Sequence, residues 1–513
     1  SIWAAGSEEE VVGFLGRLTT ELSDLSLDRL ETEAGVLIAE SMGWRSSSFT
    51  SMLASRFGPI GPGVLSYPEY GLRRLTGDQV LNWASDRFTT ENAVLWLTGP
   101  PPSGMSLTLP SGIRHKLELP PDRPRYSASG RTRIYQQDHG IAVGGFGIRS
   151  IPLRMAAEIV RHRAQEHMRH ELGRVYAVGQ EYAPLTADQV FVYWGADSDP
   201  EHSQEVGEAF DSVLQSILDE GPTQEEVERQ IVLAEQAQTL DPAGFARGEP
   251  GRYASDALIG HDSLAVEEWI PQMREVTPEM AAEALQAIMP GSMAIASESA
   301  VIGFTPAPVR NDPKLRGKVY RFRNGDVKQR FILSDDALAV EDPERSLTIR
   351  FEDVILSEHY TGGGRALIAS DGTYIGIDAT NRKLHELAAI VDTRVPPGVA
   401  VPPRRPLPCR PARPGRHCGG LNGPVSRLRL ALSRPMADAV TPEAPRRLQR
   451  VDEVFHPGVV LASQVHYDLP GVLVRQHVEA TGDERVVEIS KQFRVLIALV
   501  DLRPVGGQIG MGS

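Results

Sequence analysis

The stretch LETEAGVLIAE, residues 30–40, sets Glu33 and Glu40 seven residues apart in an otherwise apolar helical segment. Seven residues are close to two turns at 3.6 residues per turn, so both carboxylates fall on nearly the same helix face. A pair of this kind is either a solvated stripe or one part of a larger site whose other members lie elsewhere in the chain. The elements around it have to decide between the two.

A chain of 513 residues is too long for one hydrophobic core, so two to four domains are expected. Its composition, 41% hydrophobic and 23% charged, is that of globular protein. A net charge of −14 and a pI near 5.5 argue against a general nucleic-acid binder. Cys409 and Cys418 are the only cysteines; they build no disulfide framework and fit a reducing compartment. CRPARPGRHC, with His417, lacks the paired spacing of a zinc site. No apolar run reaches the ~18 residues of a membrane helix, and no signal-peptide pattern opens the chain. A cytoplasmic location is therefore expected. SIWAAG reads as a strand already under way, so an N-terminus upstream of Ser1 is also expected.

Two parts of the chain repeat a pattern. Residues 7–40 and 203–236 each contain an amphipathic helix, a break and a second helix ending in VLIAE or IVLAE. Val11, Leu15, Leu18 and Leu22 keep the helical period in the first copy, as Phe210, Val213, Leu214 and Ile217 do in the second. Glu33 and Glu40 recur as Glu228 and Glu235, and Thr76 opens a helix and strand as Thr277 does. The offsets, 195 and 201 residues, point to a duplication of about 200 residues. The second copy adds a strand GIAVGGFGI, a helix from about Pro152 to Leu172, and strands RVYAVGQEYA and VFVYWGA ahead of its helix pair. Helix pairs between hairpin-like strands predict an α+β class.

Three stretches resemble the insulinase-like (pitrilysin-like) zinc metallopeptidases: ETEAGVLIAE, YGLRRLTGDQVLNWASDRFTTENAVLWLTG and MRHELGRVYAV, in that order, within about residues 1–298. The resemblance implies duplicated α+β halves closing like a clamshell over unfolded or short peptides. It implies Glu40 as a zinc ligand, Glu33 as the carboxylate that orients a ligand or the metal-bound water, and a reaction by zinc-bound water. It also implies that Arg169 and Tyr176 reach across the clamshell, Arg169 to peptide backbone and Tyr176 to the oxyanion. Without it, these two read as an exposed helical arginine and a half-buried strand tyrosine.

The family's H-x-x-E-H motif is absent from all 513 residues. His162, Glu166 and His167 have a spacing one residue too long, and with His170 they read as a polar helix face. Glu40 alone cannot hold catalytic zinc, which takes three protein ligands and an open position, so this chain is expected not to hydrolyse peptides. Two readings stand: a metalloendopeptidase whose zinc motif lies upstream of Ser1, or a non-catalytic relative that lends Arg169 and Tyr176 to an active partner or serves as a peptide-binding scaffold. The partners implied are peptides and a homo- or heterodimer with a related subunit.

Short strands follow from Lys318, with turns at Asn324-Gly325, Asp371-Gly372 and TGGG, then the helix NRKLHELAAIVDTRV. This order resembles a pleckstrin-homology-like domain, a small β-barrel-like sheet capped by a helix. Lys318, Arg321, Arg323, Lys328 and Arg330 would be its weak membrane contact. The expected organisation is the remainder of a first metallopeptidase-like half, its front end missing, at 1–102, a linker at 103–129, a second half at 130–298 and the pleckstrin-like domain at 318–395. A Pro/Arg-rich linker at 396–450 and a β-rich tail at 451–513, carrying His466 and Asp468, complete it.

Overall fold

A computed structural model of the protein describes residues 2–40, 46–97, 100–103, 105–116, 118–120, 131–135, 140–240, 242–297, 302–307, 310–324, 327–343, 345–379, 381–403 and 493–498. The cysteines, His417, His466 and Asp468 lie outside the described residues, as does nearly all of 404–513. The expected mixed α+β class is what forms, with a β-sheet region after it.

The first region runs β1 (Ile2–Gly6), α1 (Glu8–Ser23), α2 (Leu30–Glu40), α3 (Ser48–Phe57), α4 (Gly77–Arg87) and β2 (Val94–Leu97). Ser7 and Glu10 start α1 with a reciprocal capping box, and Thr76 and Gln79 do the same for α4. Of the apolar stripe on α1, Val11 and Leu15 are buried, packed against half-buried Leu18, Leu95, Leu97 and Leu107. The α2 helix buries no residue, and Val36 and Leu37 stand 46% and 43% exposed. Its composition is largely apolar, but without a one-sided period it has no face to commit to a core.

The second region holds β3 (Thr132–Tyr135), β4 (Ile141–Ile148), α5 (Ile151–Gln165), β5 (Gly179–Pro184), β6 (Gln189–Ala196), α6 (Ser203–Glu220) and α7 (Gln224–Leu240). It continues with α8 (Pro242–Ile259), α9 (Val266–Arg274), α10 (Pro278–Ile288), β7 (Met293–Ala296) and β8 (Thr305–Pro306). The sheet order is β5-β6-β4-β7-β3-β8, with β4 antiparallel to both β6 and β7.

Alternate residues of these strands serve two cores, as the two-residue period of a strand requires. Val143, Val190, Val192 and Trp194 pack with α5, α6 and α10. Ala142, Phe191, Met293 and Ile295 pack on the other face with Met52, Leu53 and Phe57 of α3. Glycines of β4 make this two-sided approach possible. A Cβ on Gly144 would meet the Phe191 ring at 2.6 Å and Met52 Sδ at 2.9 Å, and one on Gly147 would meet Ile288 at 2.4 Å. The α3 helix thus covers one face of this sheet, opposite the face that packs on α5, α6 and α10.

The third region comprises β9 (Lys318–Asn324), β10 (Val327–Leu333), β11 (Ala337–Glu341), β12 (Ser346–Arg350), β13 (Val354–His359), β14 (Arg365–Ala369) and β15 (Tyr374–Ile377). These are followed by α11 (Arg382–Asp392) and β16 (Ala400–Val401). No closed barrel forms among the described residues, contrary to the barrel-like expectation. Two four-stranded sheets, β12-β11-β10-β9 and β15-β14-β13-β16, instead enclose one core with Leu384, Leu387 and Val391 of α11. Asp353 lies in the short break between β12 and β13, where the chain leaves one sheet for the other. The predicted turn at Asp371-Gly372 is present, with Gly372 at φ 79°, a conformation glycine adopts at no steric cost.

This region is tied to the first. Arg73 Nη1 lies 2.9 Å from Glu358 Oε1, with both side chains less than a tenth exposed, and Arg74 donates to the Gly398 carbonyl. The last described element, β17 (Phe493–Ala498), lies between β1 and β2 and is antiparallel to both.

Candidate functional site

Glu33 and Glu40 sit on the exposed surface of α2. Glu33 accepts from Arg29 Nε at 2.9 Å and Nη2 at 2.5 Å, one turn upstream. At the matching place in α7, Glu228 accepts from Gln224 Nε2 at 3.0 Å, again one turn upstream, and Glu235 pairs with Arg274. Both carboxylate pairs therefore have the surroundings of surface helix residues. Among the described residues no group of three or more His, Cys, Asp or Glu side chains is placed to hold a metal. The described residues do not by themselves supply the three ligands of a zinc site, and no zinc-dependent step is assigned to them.

Arg169 and Tyr176 are brought together. A π turn, Glu166–Glu171, follows α5, closed by the Leu172 N–H donating to the His167 carbonyl at 3.0 Å. Met168 is fully buried beneath it, which turns Arg169 and His170 outward. Val175 and Val178 are buried on either side of Tyr176, and the Val178 N–H donates to Gln165 Oε1 at 2.7 Å. Tyr176, expected in a strand, instead stands 86% exposed before β5 begins, with the Arg169 guanidinium carbon 5.1 Å from its ring centroid. A cation stacked on a ring is held in place while its outer N–H groups stay free to donate.

The three nearby histidines do not converge. His162 is half-buried, with Nε2 2.9 Å from Arg161 Nη2, and burial followed by the Arg161 charge holds its pKa below the ordinary value. His167 Nδ1 lies 2.6 Å from Glu171 Oε2, and His170 is exposed. A cavity of about 260 Å³ beside His162 is lined by Arg163, Glu166, Thr223, Glu226 and Arg229. Arg163 grips Glu226 with two N–H groups there, and Thr223 donates to the same carboxylate. Burial raises the Glu226 pKa, but these hydrogen bonds outweigh it and the net shift is downward. The Thr223-x-x-Glu226 spacing at the start of α7 is a capping-box signal that sequence reading passed over.

Other polar groups also escaped the sequence reading. Arg149 pairs with Asp256 at 2.7 Å with both side chains nearly buried, and Arg154 stacks on Trp269 at 5.1 Å. No local pattern links residues so far apart in the chain. Of the basic strand residues, Arg330 is held by Glu341 through two hydrogen bonds and Lys318 lies 3.4 Å from Glu386, while Arg321 and Lys328 are exposed. A cleft of about 680 Å³ in the third region is crossed by Arg310, itself bound to Asp312 and Asp371.

No family model matches this sequence, and no curated protein does. Solved structures similar to parts of this chain include a peptidase M16 inactive domain from Pseudomonas fluorescens: 14% identity, TM-score 0.42, covering 56% of this chain and 73% of that one. The first half of the periplasmic protease PqqL from Escherichia coli gives 13% identity and a TM-score of 0.42 over 57% of this chain and 73% of that one. A protease from Helicobacter pylori gives 13% identity and a TM-score of 0.46 over 56% and 77%. Likenesses at these values do not assign the chain to a family. No helix among the described residues is long and apolar enough to cross a membrane.

Proposed function

We propose that this chain is a non-catalytic protein of the insulinase-like type, and that it contacts extended peptide through Arg169 and Tyr176. The observation that carries this reading is the stacked and exposed pair itself, held between buried Met168, Val175 and Val178. Its parts suit a peptide backbone. The guanidinium offers several N–H donors to carbonyl oxygens, and the phenol offers one O–H donor. A related subunit with a complete metal site, in a homo- or heterodimer, would carry out any hydrolysis, with Tyr176 donating to the carbonyl oxygen under attack. Glu33 and Glu40 belong to the helix surface in this reading, and the two copies of the helix pair descend from one duplicated unit.

Fluorescence anisotropy with a labelled unfolded peptide tests the proposal, beside elemental analysis of the dialysed protein. The expected result is peptide binding weakened about tenfold by Arg169→Ala and a few-fold by Tyr176→Phe, one to two lost hydrogen bonds, with zinc far below one per chain. Stoichiometric zinc that is lost in Glu40→Gln, together with peptide cleavage, would establish the metalloendopeptidase instead. Peptide binding indifferent to both substitutions would remove Arg169 and Tyr176 from the site.

A further inference from the structure

In the second region β4 is the middle strand: it lies between β6 and β7, antiparallel to both, and comes from the adjacent part of the chain. In the first region the same place, between β1 and β2 and antiparallel to both, is held by β17, residues 493–498. The register is continuous on both sides. Ile2 to Gly6 pair with Ile497 back to Phe493, and Val94 to Leu97 pair with Ala498 back to Val495. β1 and β2 are not neighbours, so without β17 each presents an unpaired ladder of N–H and C=O groups. Between them is a gap one strand wide, of a kind that a donated strand fills with main-chain hydrogen bonds. Its occupant, FRVLIA, is rich in the apolar residues that strands favour.

We propose that the gap between β1 and β2 is a strand-acceptor site with residues 493–498 as its donor strand, and that it takes an added extended apolar peptide in the same antiparallel register when the donor is withdrawn. The site is remote in sequence from Arg169 and Tyr176 and does not rest on their assignment.

The test uses the full-length protein carrying Leu496→Pro, which removes a ladder donor and does not fit a central strand. Leu496→Val is the control. Hydrogen exchange should accelerate about a hundredfold at residues 2–6 and 94–97 in the proline variant and stay unchanged in the valine variant. Amides of β4 and β6 report that the second region stays folded. A synthetic peptide of residues 491–500 should restore protection to the proline variant, and the same peptide with proline at position 496 should not. Native-like protection in the proline variant overturns the donor assignment, and exchange left fast by the peptide overturns the acceptor site. A second measurement needs no disruption: Ala4→Cys with Val495→Cys, or Ala5→Cys with Arg494→Cys, pairs adjacent opposed positions. One of the two must have the closer, non-hydrogen-bonded geometry, so mild oxidation should yield that cross-linked peptide. Its absence from both variants overturns the donor assignment.

Discussion

The first region and the β6-to-β7 stretch of the second pass through the same order of elements, a strand, a helix pair, further helices and a returning strand, yet the two regions bury their helices to very different depths. In the second region α6 sinks Val206, Phe210, Val213, Leu214 and Ile217 into a core shared with α5, α10 and a six-stranded sheet. In the first, α1 buries Val11 and Leu15 against a three-stranded sheet, and α2 buries nothing. An amphipathic pattern fixes which face of a helix turns inward. How much that face gains depends on the area of sheet available to cover it.

Substitutions can break this comparison. Trp194→Ala removes a fully buried side chain and its hydrogen bond to the Ala157 carbonyl, and should cost about 3–5 kcal/mol in urea unfolding. Arg73→Ala should cost about 3 kcal/mol, because it leaves Glu358 buried with the Tyr360 hydroxyl as its remaining donor among the described residues; Arg73→Met with Glu358→Leu should recover most of that. Leu15→Ala lies in the thinner core, whose half-exposed neighbours can close the space, so about 2 kcal/mol is expected. A loss equal to that of Trp194→Ala would show that the first region is packed as tightly as the second.

Acid titration sharpens the comparison at α7. Glu226 is held below its ordinary value of 4.5, so its ionised form favours the folded state. That contribution is complete above the unfolded pKa and is lost as pH falls through the lower, folded one. Glu226→Gln should therefore be less stable than native near neutrality and converge with it in acid. A constant difference across the titration would dissociate Glu226 from the acid limb. The smallest effect is expected on α2, where Arg29→Ala should change stability by about 0.3–0.5 kcal/mol, as exposed pairs one turn apart do.

Much of this was legible in the sequence where the cause is local. The strands and closing helix of the third region follow alternation and turn residues, and the α1 stripe follows the 3.6-residue period. Arg29, one turn before Glu33, was also in plain view. What escaped depends on distant partners. The α3 segment SFTSMLASRF gives no sign that it will cover the sheet of another region, because Met52 meets Gly144 and Phe57 meets Phe146 of β4 only in the folded chain. Tyr176 read as part of a strand because its neighbours alternate, but Val175 and Val178 are both anchored inward and carry the backbone through a bend first. The place of β17 is set by a gap between strands that lie about four hundred and about five hundred residues earlier.

The Arg73–Glu358 tie has a consequence for the chain once cut. Ile113 and Arg114 lie on an exposed stretch between the two residues of the pair, where trypsin can reach the bond after Arg114. The piece ending there keeps Arg73 and the α3 side chains, while the remainder keeps Glu358 and the sheet they cover. A nick at this point should therefore leave a non-covalent complex, two bands on a denaturing gel that travel as one species through gel filtration.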